Sequence, residues 1–261
     1  MPPARALLWV STAGAIALAI RSVAFTPVPT AVAVGTLLAY VTLVLCGVVF
    51  MRLEMFADVF WRGDEDARGV ALTFDDGPSP EHTPRVLELL DRAGVKATFF
   101  VIGRKAAAHP ELVRAMVDAG HAVGVHGYAH DRLFSLRRMG YVRRDLTQAI
   151  ETLKAITGER PRLFRPPIGH TNALIAHAAK SLELTLVGWS VRAMDGLRGA
   201  QPERVAQRVV SRLEDGAVIL LHDAAEREDF VPASVKALPR ILAAMKEREL
   251  TGVRVDAWID A

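Results

Sequence analysis

The chain has 261 residues, of which 51% are hydrophobic and 23% charged, with a formal net charge of +3. This length suffices for one sizeable core, and an α/β domain of this size is ordinary. The weak positive charge gives no indication of a nucleic-acid partner, and the single cysteine, Cys46, excludes an internal disulfide. No feature of the sequence identifies a protein partner.

Two apolar stretches begin the chain. Residues 30–51 contain no charged side chain and are long enough for a bilayer core, which needs about 20 apolar residues. Residues 6–20 form a shorter stretch, and Pro27 and Pro29 separate the two. Neither stretch has the polar stripe of a helix that packs on a soluble core, so a buried pair of soluble helices is disfavoured.

We predict that residues 1–52 form a transmembrane helical hairpin, which places both of its ends on one side of the membrane. A signal peptide followed by an anchor, and one span preceded by an interfacial segment, are the alternatives. Arg5, Arg21 and Arg52 lie at successive boundaries of these stretches and therefore give little asymmetry for the positive-inside rule.

After a predicted linker at residues 53–68, the domain at residues 69–261 alternates helices with short apolar strands. Several helices begin at a proline and end at a glycine, because proline suits the first helical position and glycine the residue after the last. The predicted helices are 84–94, 110–120, 140–157, 172–181, 202–216 and 232–248. The predicted strands are 69–74, 97–102, 122–125, 163–164, 184–187, 217–221 and 253–255.

Strands that alternate with helices predict a parallel sheet covered by helices, either open or closed into a barrel. The fold class is therefore α/β, and the number of strands favours a distorted (β/α) barrel. The working residues of such folds lie at the C-terminal ends of the strands. Ionisable side chains follow these predicted ends: Asp75, Asp76, His126, His130, Arg165, Asp195 and His222. Each alone has a structural explanation, but their joint placement predicts a functional site.

Asp75 and Asp76 are adjacent carboxylates at the end of the first predicted strand, directly before Gly77 and Pro78. A solvated turn is the simplest explanation, because Asp, Gly and Pro are all common turn residues. Two carboxylates repel each other and resist burial, however, so a buried pair requires a cation or a shared proton.

His126 and His130 have the spacing that places two imidazoles on one face of a helical turn, where they can share one ion. One carboxylate from Asp75 or Asp76 completes a site with two histidines and one carboxylate. Such a site suits Zn²⁺ used hydrolytically or Fe²⁺ used with oxygen. The other carboxylate is then free to act as a base next to a metal-bound water.

These motifs resemble those of the metal-dependent polysaccharide deacetylases, a family with a NodB-homology domain, over roughly residues 69–256. The matching segments are Thr73-Phe-Asp-Asp-Gly-Pro, His126-Gly-Tyr-Ala-His130, Arg165-Pro-Pro-Ile-Gly169, Trp189 to Asp195, and Leu220-Leu-His222-Asp223. The resemblance implies that residues 69–261 are a catalytic domain with an N-acetylated glycan or glycolipid as substrate. It also implies a divalent metal cofactor, with Zn²⁺ first and Co²⁺, Ni²⁺ or Mn²⁺ as alternatives.

The resemblance also implies a role for each residue. Asp75 is then the general base, and Arg165 holds this aspartate ionised. His222 is the general acid, Asp195 tunes it, and a backbone N–H in the loop after Arg165 helps to bind the oxyanion. The implied metal ligands are Asp76, His126 and His130. The residues implied to contact substrate are Leu220, Trp189 and Ile168.

Several positions depart from the family pattern. Gly127 stands where the second motif usually has Ser or Thr, which removes a loop-stabilising hydroxyl but no ligand. Ile168 replaces an aromatic residue of the third motif, and Gly196 replaces a tryptophan of the fourth. Arg192 replaces an acidic residue, so Asp195 is the only candidate to tune the general acid.

The leading prediction is a membrane-anchored N-deacetylase of a peptidoglycan- or chitin-like glycan, with its catalytic domain on the extracytoplasmic side of a bacterial inner membrane. A deacylase of a lipid-linked amino sugar is the first alternative, and an inactive glycan-binding module is the second. An oxygenase is disfavoured because it gives Asp75 and Arg165 no role.

An arginine cluster follows the second motif and comprises Arg132, Arg137, Arg138, Arg143 and Arg144. A solvated helix face is the simplest interpretation of this cluster. Contact with anionic lipid headgroups or with a phosphate-bearing glycan is the functional alternative.

Overall fold

Two long apolar helices precede the sheet in the computed structural model, which describes residues 1–259. Helix α1 spans Pro3–Ala24 and helix α2 spans Thr30–Val49. Helix α1 buries none of its residues, and α2 buries only Gly47. Both helices are long and apolar enough to cross a membrane, since a helix rises about 1.5 Å per residue and the hydrocarbon core is about 30 Å thick.

Seven parallel strands form one curled half-barrel sheet, which confirms the predicted α/β class. In chain order the strands are β1 (Val70–Asp75), β2 (Thr98–Val101), β3 (Ala122–Val125), β4 (Leu163–Phe164), β5 (Thr185–Leu186), β6 (Val191–Arg192) and β7 (Ala217–His222). Their order across the sheet is β5-β4-β3-β2-β1-β7-β6. Every residue of β1 is buried, because β1 lies between β2 and β7 and both faces of the sheet are covered.

The remaining helices cover the sheet and agree with most of the predicted bounds. They are α3 (Thr83–Ala93), α4 (Gly103–Ala108), α5 (Pro110–Asp118), α6 (Met139–Thr157), α7 (Ala173–Ser181), α8 (Pro202–Val210), α9 (Ala233–Glu247) and α10 (Val255–Ile259). Proline stands in the first turn of α3, α5 and α8. Gly94 and Gly158 follow α3 and α6 with positive φ angles, as the sequence predicts for helix ends.

The strand predicted at residues 253–255 is wrong. Val255 begins α10, and the segment contributes only an isolated bridge between Gly252 and Val70. The reason is that β1 already pairs with β7 along its whole length and with β2 from Thr73 onward. Backbone groups of β1 are therefore free to pair with a further segment only near Val70. The seventh strand is instead β6 at Val191–Arg192, which was not predicted.

The predicted helix at residues 202–216 is too long, because α8 ends at Val210. Its buried face consists of Val205, Ala206 and Val209, and this apolar stripe stops one residue before the helix ends. Gly216 lies further on, in the turn that enters β7. Helix α4 was not predicted, because six residues are too few to show a helical period.

Residues 51–63 run beside the sheet from the C-terminal ends of its strands to their N-terminal ends. Near α2, the Thr171 N–H after β4 donates to the Val48 carbonyl at 3.1 Å. Phe60 N–H then donates to Leu186 O in β5, and Gly63 N–H donates to Gly216 O just before β7. The helix pair is therefore joined to the domain at the C-terminal edge of the sheet.

Replacement of Leu153 by Ala tests how α6 packs on the sheet. Leu153 is 1% exposed and belongs to the main core, so removal of its methyl groups leaves a cavity. We expect the free energy of unfolding to fall by about 2–5 kcal/mol, measured by denaturant titration of the full chain in detergent. The control is Lys154→Ala at the exposed neighbouring position, for which we expect a change below about 0.5 kcal/mol. Equal losses in both variants would contradict this packing.

Candidate active site

The ends of neighbouring parallel strands bring the predicted residues together at one edge of the sheet. Asp75 is the last residue of β1 and pairs in register with His222, the last residue of β7. His126 directly follows β3, and Arg165 directly follows β4. The C-terminal edge of the sheet therefore carries the predicted constellation, as expected for a parallel α/β fold.

Asp75 forms a buried ion pair with Arg165. The Arg165 guanidinium donates to Asp75 Oδ1 at 2.7 Å and to Thr73 Oγ1 at 2.8 Å. It also donates to the carbonyls of Val187 at 3.2 Å and Gly188 at 2.7 Å. Burial lowers the pKa of this guanidinium, but the Asp75 carboxylate opposes that shift. The carboxylate is thus fixed by one oxygen, and its second oxygen, Oδ2, faces His126 at 3.8 Å.

Asp76 points to the two histidines, away from Arg165. Its Oδ1 lies 3.5 Å from His126 Nε2 and 3.2 Å from His130 Nε2, and these three side chains form a cluster with all ligand atoms within 4.8 Å of one another. Asp76 Oδ1 is buried and makes no hydrogen bond. His126 Nδ1 lies 2.7 Å from the Arg165 carbonyl, which directs Nε2 into the cluster. One carboxylate and two imidazoles, with one ring fixed from behind, fit a divalent cation such as Zn²⁺.

The electrostatics of Asp76 and His130 favour the forms that bind metal, whereas those of His126 favour its protonated form. Burial favours the neutral form of Asp76, but the imidazoles of His126, His222 and His130 outweigh it and hold the Asp76 pKa well below its usual range. Burial, together with the charge of His126, lowers the pKa of His130 to about 4. For His126, burial opposes protonation, but Asp75 and Asp76 raise the pKa. An ionised carboxylate and a neutral imidazole are the states that coordinate a cation.

The predicted helical turn at His126–His130 is wrong, because this segment is a loop. Gly127 has a φ of 75° and His130 a φ of 51°, angles that a right-handed helix does not contain. Asp145 of α6 holds the loop: it accepts hydrogen bonds from the N–H groups of Tyr128 at 2.8 Å and Ala129 at 3.0 Å. The loop still brings both imidazoles to one point, and Asp145 provides the anchoring that the missing hydroxyl at Gly127 does not.

His222 lies opposite the cluster and is paired with Asp195. Its Nδ1 is 3.1 Å from Asp195 Oδ1, and its backbone N–H donates to Asp195 Oδ2 at 2.7 Å. Burial disfavours the imidazolium, but the Asp195 carboxylate, with smaller contributions from Asp76 and Asp75, overcomes this and raises the pKa of His222 to about 10. A Cβ atom on Gly196 would lie 2.8 Å from the His222 ring, so the glycine at this position makes room for the histidine.

A cleft of about 430 Å³ connects these groups. Of the predicted site residues, those that line it are Asp75, Asp76, His126, His130, Ile168, Trp189, Leu220 and His222. Arg165 and Asp195 are 0% exposed and support Asp75 and His222 from behind. The structure therefore brings together all the predicted catalytic, metal-binding and substrate-contacting residues, with the two supporting residues buried behind the cleft.

A larger groove of about 1050 Å³ lies at the opposite edge of the sheet. Its lining includes Glu159, Arg160, Arg254 and Asp256, in which acidic and basic side chains alternate, and none of the predicted site residues. The predicted acid, base and metal-binding groups are all in the smaller cleft, so size does not identify the site here.

Three supporting residues were missed by sequence reasoning. Asp145 orders the histidine loop, as described above. Lys105 is 4% exposed, and its ammonium group donates to the backbone carbonyls of Asp76 at 2.9 Å and Ala225 at 2.8 Å. Glu226 Oε1 lies 3.7 Å from His130 Nδ1. Lys105 and Asp145 lie on helices outside the recognised motifs, and Glu226 follows the last one, so no local spacing identified them.

The comparisons with known proteins agree with this geometry. The family model described as "Polysaccharide deacetylase" matches residues 62–187. The chain is 33% identical over 199 residues to a peptidoglycan-N-acetylglucosamine deacetylase of Bacillus cereus, covering 76% of this chain and 70% of the relative. It is 37% identical over 190 residues to a chitooligosaccharide deacetylase of a Bradyrhizobium species, covering 69% and 86%. The chain belongs to the polysaccharide deacetylase family.

A solved structure of a related protein has the same fold as this chain. A crystal structure of a peptidoglycan N-acetylglucosamine deacetylase superposes with a TM-score of 0.70 at 31% sequence identity. The match covers 76% of this chain and 91% of that one.

Loss of metal binding in ligand variants tests the cluster. We expect the full chain to bind one Zn²⁺, and both Asp76→Ala and His126→Ala to lose it, because each removes a coordinating atom. Asp75→Asn should still bind the ion, since Asp75 is held by Arg165. Calorimetric titration of Zn²⁺ into chelator-treated protein measures this, with His177→Ala at an exposed position as control. Unchanged stoichiometry in the Asp76 and His126 variants would refute the assignment.

Proposed function

We propose that this chain is a metal-dependent hydrolase that removes N-acetyl groups from the amino sugars of a glycan. The observation that carries the proposal is the arrangement in one cleft of a carboxylate fixed by Arg165, the cluster of Asp76 with two histidines, and His222 on the other side. The named activities of the family relatives support the same reaction and point to a peptidoglycan- or chitin-like substrate.

Asp76, His126 and His130 are proposed to hold the divalent cation, with Zn²⁺ as the first candidate. When bound, the cation supplies a Lewis acid for the amide carbonyl and lowers the pKa of water at the site. Asp75 is the proposed general base. Its Oδ1 is engaged by Arg165, so Oδ2 is the atom that takes the proton from the attacking water.

His222 is the proposed general acid. Because Asp195 is bonded to Nδ1, the proton that the histidine gives to the departing sugar amine is carried on Nε2. The same carboxylate keeps the imidazolium charged until transfer, so Asp195 acts by positioning and charging His222 without touching substrate.

The loop after β4 is proposed to supply an N–H group for the oxyanion. Pro166 and Pro167 have no N–H, and Gly169 N–H donates to the Pro166 carbonyl. The amide of Ile168 is therefore the donor that remains in this loop. Leu220 and Trp189 line the same cleft and are proposed to contact the acetyl methyl group.

The N-terminal helices are proposed to form the membrane hairpin at residues 1–52. Their apolar side chains are uncovered: Leu37 and Leu38 are each 61% exposed. Residues 53–68 then link the hairpin to a catalytic domain at residues 69–261. We propose the extracytoplasmic side for this domain, because the glycans on which the named relatives act include peptidoglycan.

Acetate release tests the reaction. We expect the zinc-loaded full chain to release acetate from peptidoglycan or chitooligosaccharides, and Asp75→Asn to lower the turnover by about 100-fold or more, because the base is lost while the metal stays. The matched control is Asp118→Asn, an exposed aspartate that should turn over as the wild type does. No acetate from peptidoglycan, chitooligosaccharides or lipid-linked amino sugars would leave a glycan-binding module as the better explanation.

The pH dependence of turnover tests the role of Asp195. The acid must be protonated, so activity should fall as the pH rises through the pKa of His222, which Asp195, with smaller contributions from Asp76 and Asp75, raises to about 10. In Asp195→Asn that stabilisation is lost, and the alkaline limb of the kcat profile should move to lower pH. Asp229→Asn, an exposed acidic residue of the same cleft, should leave the limb in place. An unmoved limb in Asp195→Asn would contradict the acid assignment.

A further inference from the structure

Beyond the helix pair, large exposed apolar side chains are concentrated at the active-site end of the sheet. Residues 51–259 contain seven of them, and Val117 of α5, by the opposite groove, is the only one elsewhere. The other six form what we call the apolar rim: Leu133, Leu136, Ile168, Met194, Leu197 and Val231. The most exposed of them, Leu136, is 78% accessible to solvent. Exposed apolar side chains that are grouped at one end of a domain, and not scattered over it, indicate a contact surface.

The topology places the apolar rim around the mouth of the cleft. Its members lie in the connections that follow β3, β4, β6 and β7, and in a parallel sheet such connections lie at one edge. Ile168, Met194 and Leu197 also line the cleft itself. None of the rim residues is aromatic, so the rim lacks the flat faces on which the sugar rings of a glycan could stack.

Basic side chains accompany the apolar rim. Arg132, Arg137 and Arg138 lie in the same connection as Leu133 and Leu136, and all are exposed. The remaining members of the arginine cluster are exposed near the start of α6, and Arg198 and Arg227 are exposed in the connections after β6 and β7. Arg132, Arg137 and Arg198 are ion-paired with Glu226, Asp131 and Asp229, so the net positive charge beside the rim comes from the other arginines, Arg138, Arg143, Arg144 and Arg227. Apolar side chains flanked by such arginines match the boundary of an anionic bilayer, where acyl chains meet negatively charged headgroups.

The apolar rim is also continuous with the N-terminal helices. Val48 at the end of α2 accepts a hydrogen bond from Thr171, and the neighbouring Asn172 donates to the Ser135 carbonyl at 2.7 Å, next to Leu136. Arg5 at the start of α1 pairs with Asp58 at 2.7 Å. The start of α1 therefore meets the packed segment at residues 51–63, and the end of α2 meets the domain directly beside the rim.

We infer that the apolar rim rests in the headgroup layer of the bilayer that holds α1 and α2, so that the cleft opens onto the membrane surface. The substrate is then an N-acetylated amino sugar held at that surface, such as one linked to a lipid. The substrate part of this inference depends on the proposed deacetylase function, whereas the lipid contact does not.

Site-specific labels on the full chain test the contact. In a Cys46→Ala background, Leu136→Cys and Val231→Cys carry an environment-sensitive dye, and Val117→Cys is the matched control. In phosphatidylglycerol-containing vesicles, we expect an apolar emission and protection from iodide at 136 and 231, and an aqueous signal at 117. Aqueous signals at all three positions would overturn the inference. Shielding that grows with protein concentration would assign the rim to a second copy and would also overturn it.

Activity separates the contact from the chemistry. For the double variant Leu136→Ser, Val231→Ser, we expect wild-type acetate release from soluble N-acetylglucosamine oligomers. Release from N-acetylglucosamine on a polyprenyl diphosphate in the same vesicles should fall several-fold, whereas Val117→Ser should not change it. Equal rates of the double variant and the wild type on the vesicle-held substrate would overturn the substrate part. Absence of acetate from every substrate, with shielded labels, would refute the deacetylase proposal and leave the lipid contact standing.

Discussion

The buried ion pair between Arg165 and Asp75 is the interaction on which the site depends. Removing two charges from water is costly, and a buried pair is tolerated only when further hydrogen bonds satisfy its remaining groups. Arg165 meets this requirement, because it also donates to Thr73 and to the carbonyls of Val187 and Gly188. One side chain thus ties the ends of β1, β4 and β5 together while it fixes the Asp75 carboxylate. The structural and the chemical roles of Arg165 cannot be separated by a simple deletion.

The ion pair also explains why two adjacent aspartates are stable at this position. Asp76 has a φ of 71°, so its carboxylate turns away from that of Asp75. Each carboxylate then has its own compensation: Arg165 for the first, and His126 with His130 for the second. The repulsion expected from the sequence is relieved by separation into two environments, and in the second the buried Asp76 Oδ1 makes no hydrogen bond and is free for a cation.

Prediction from sequence succeeded where the signal is local and failed where tertiary contacts decide. Proline and glycine mark most helix ends, and β1 is readable because a strand buried on both faces is uniformly apolar. The pairing of His126 with His130 was correct, but the helical turn was wrong, because Asp145 shapes the loop from a distant helix. Strand β6 and the buried Lys105 have no local pattern. The catalytic and metal roles themselves remain predictions, since proximity does not establish turnover.

The packing of residues 51–63 connects the site to the helix pair. Met51, Met55 and Val59 are all buried, so this segment is not a free tether. A flexible linker would let the cleft move freely around the helix pair, whereas a packed linker fixes the distance of the cleft from the helices and the direction in which it opens. If α1 and α2 cross a bilayer, the mouth of the cleft is held at the membrane surface. A polymeric glycan can then bind only where it reaches that surface. Attachment at the C-terminal edge of the sheet thereby becomes a constraint on which glycans can be reached.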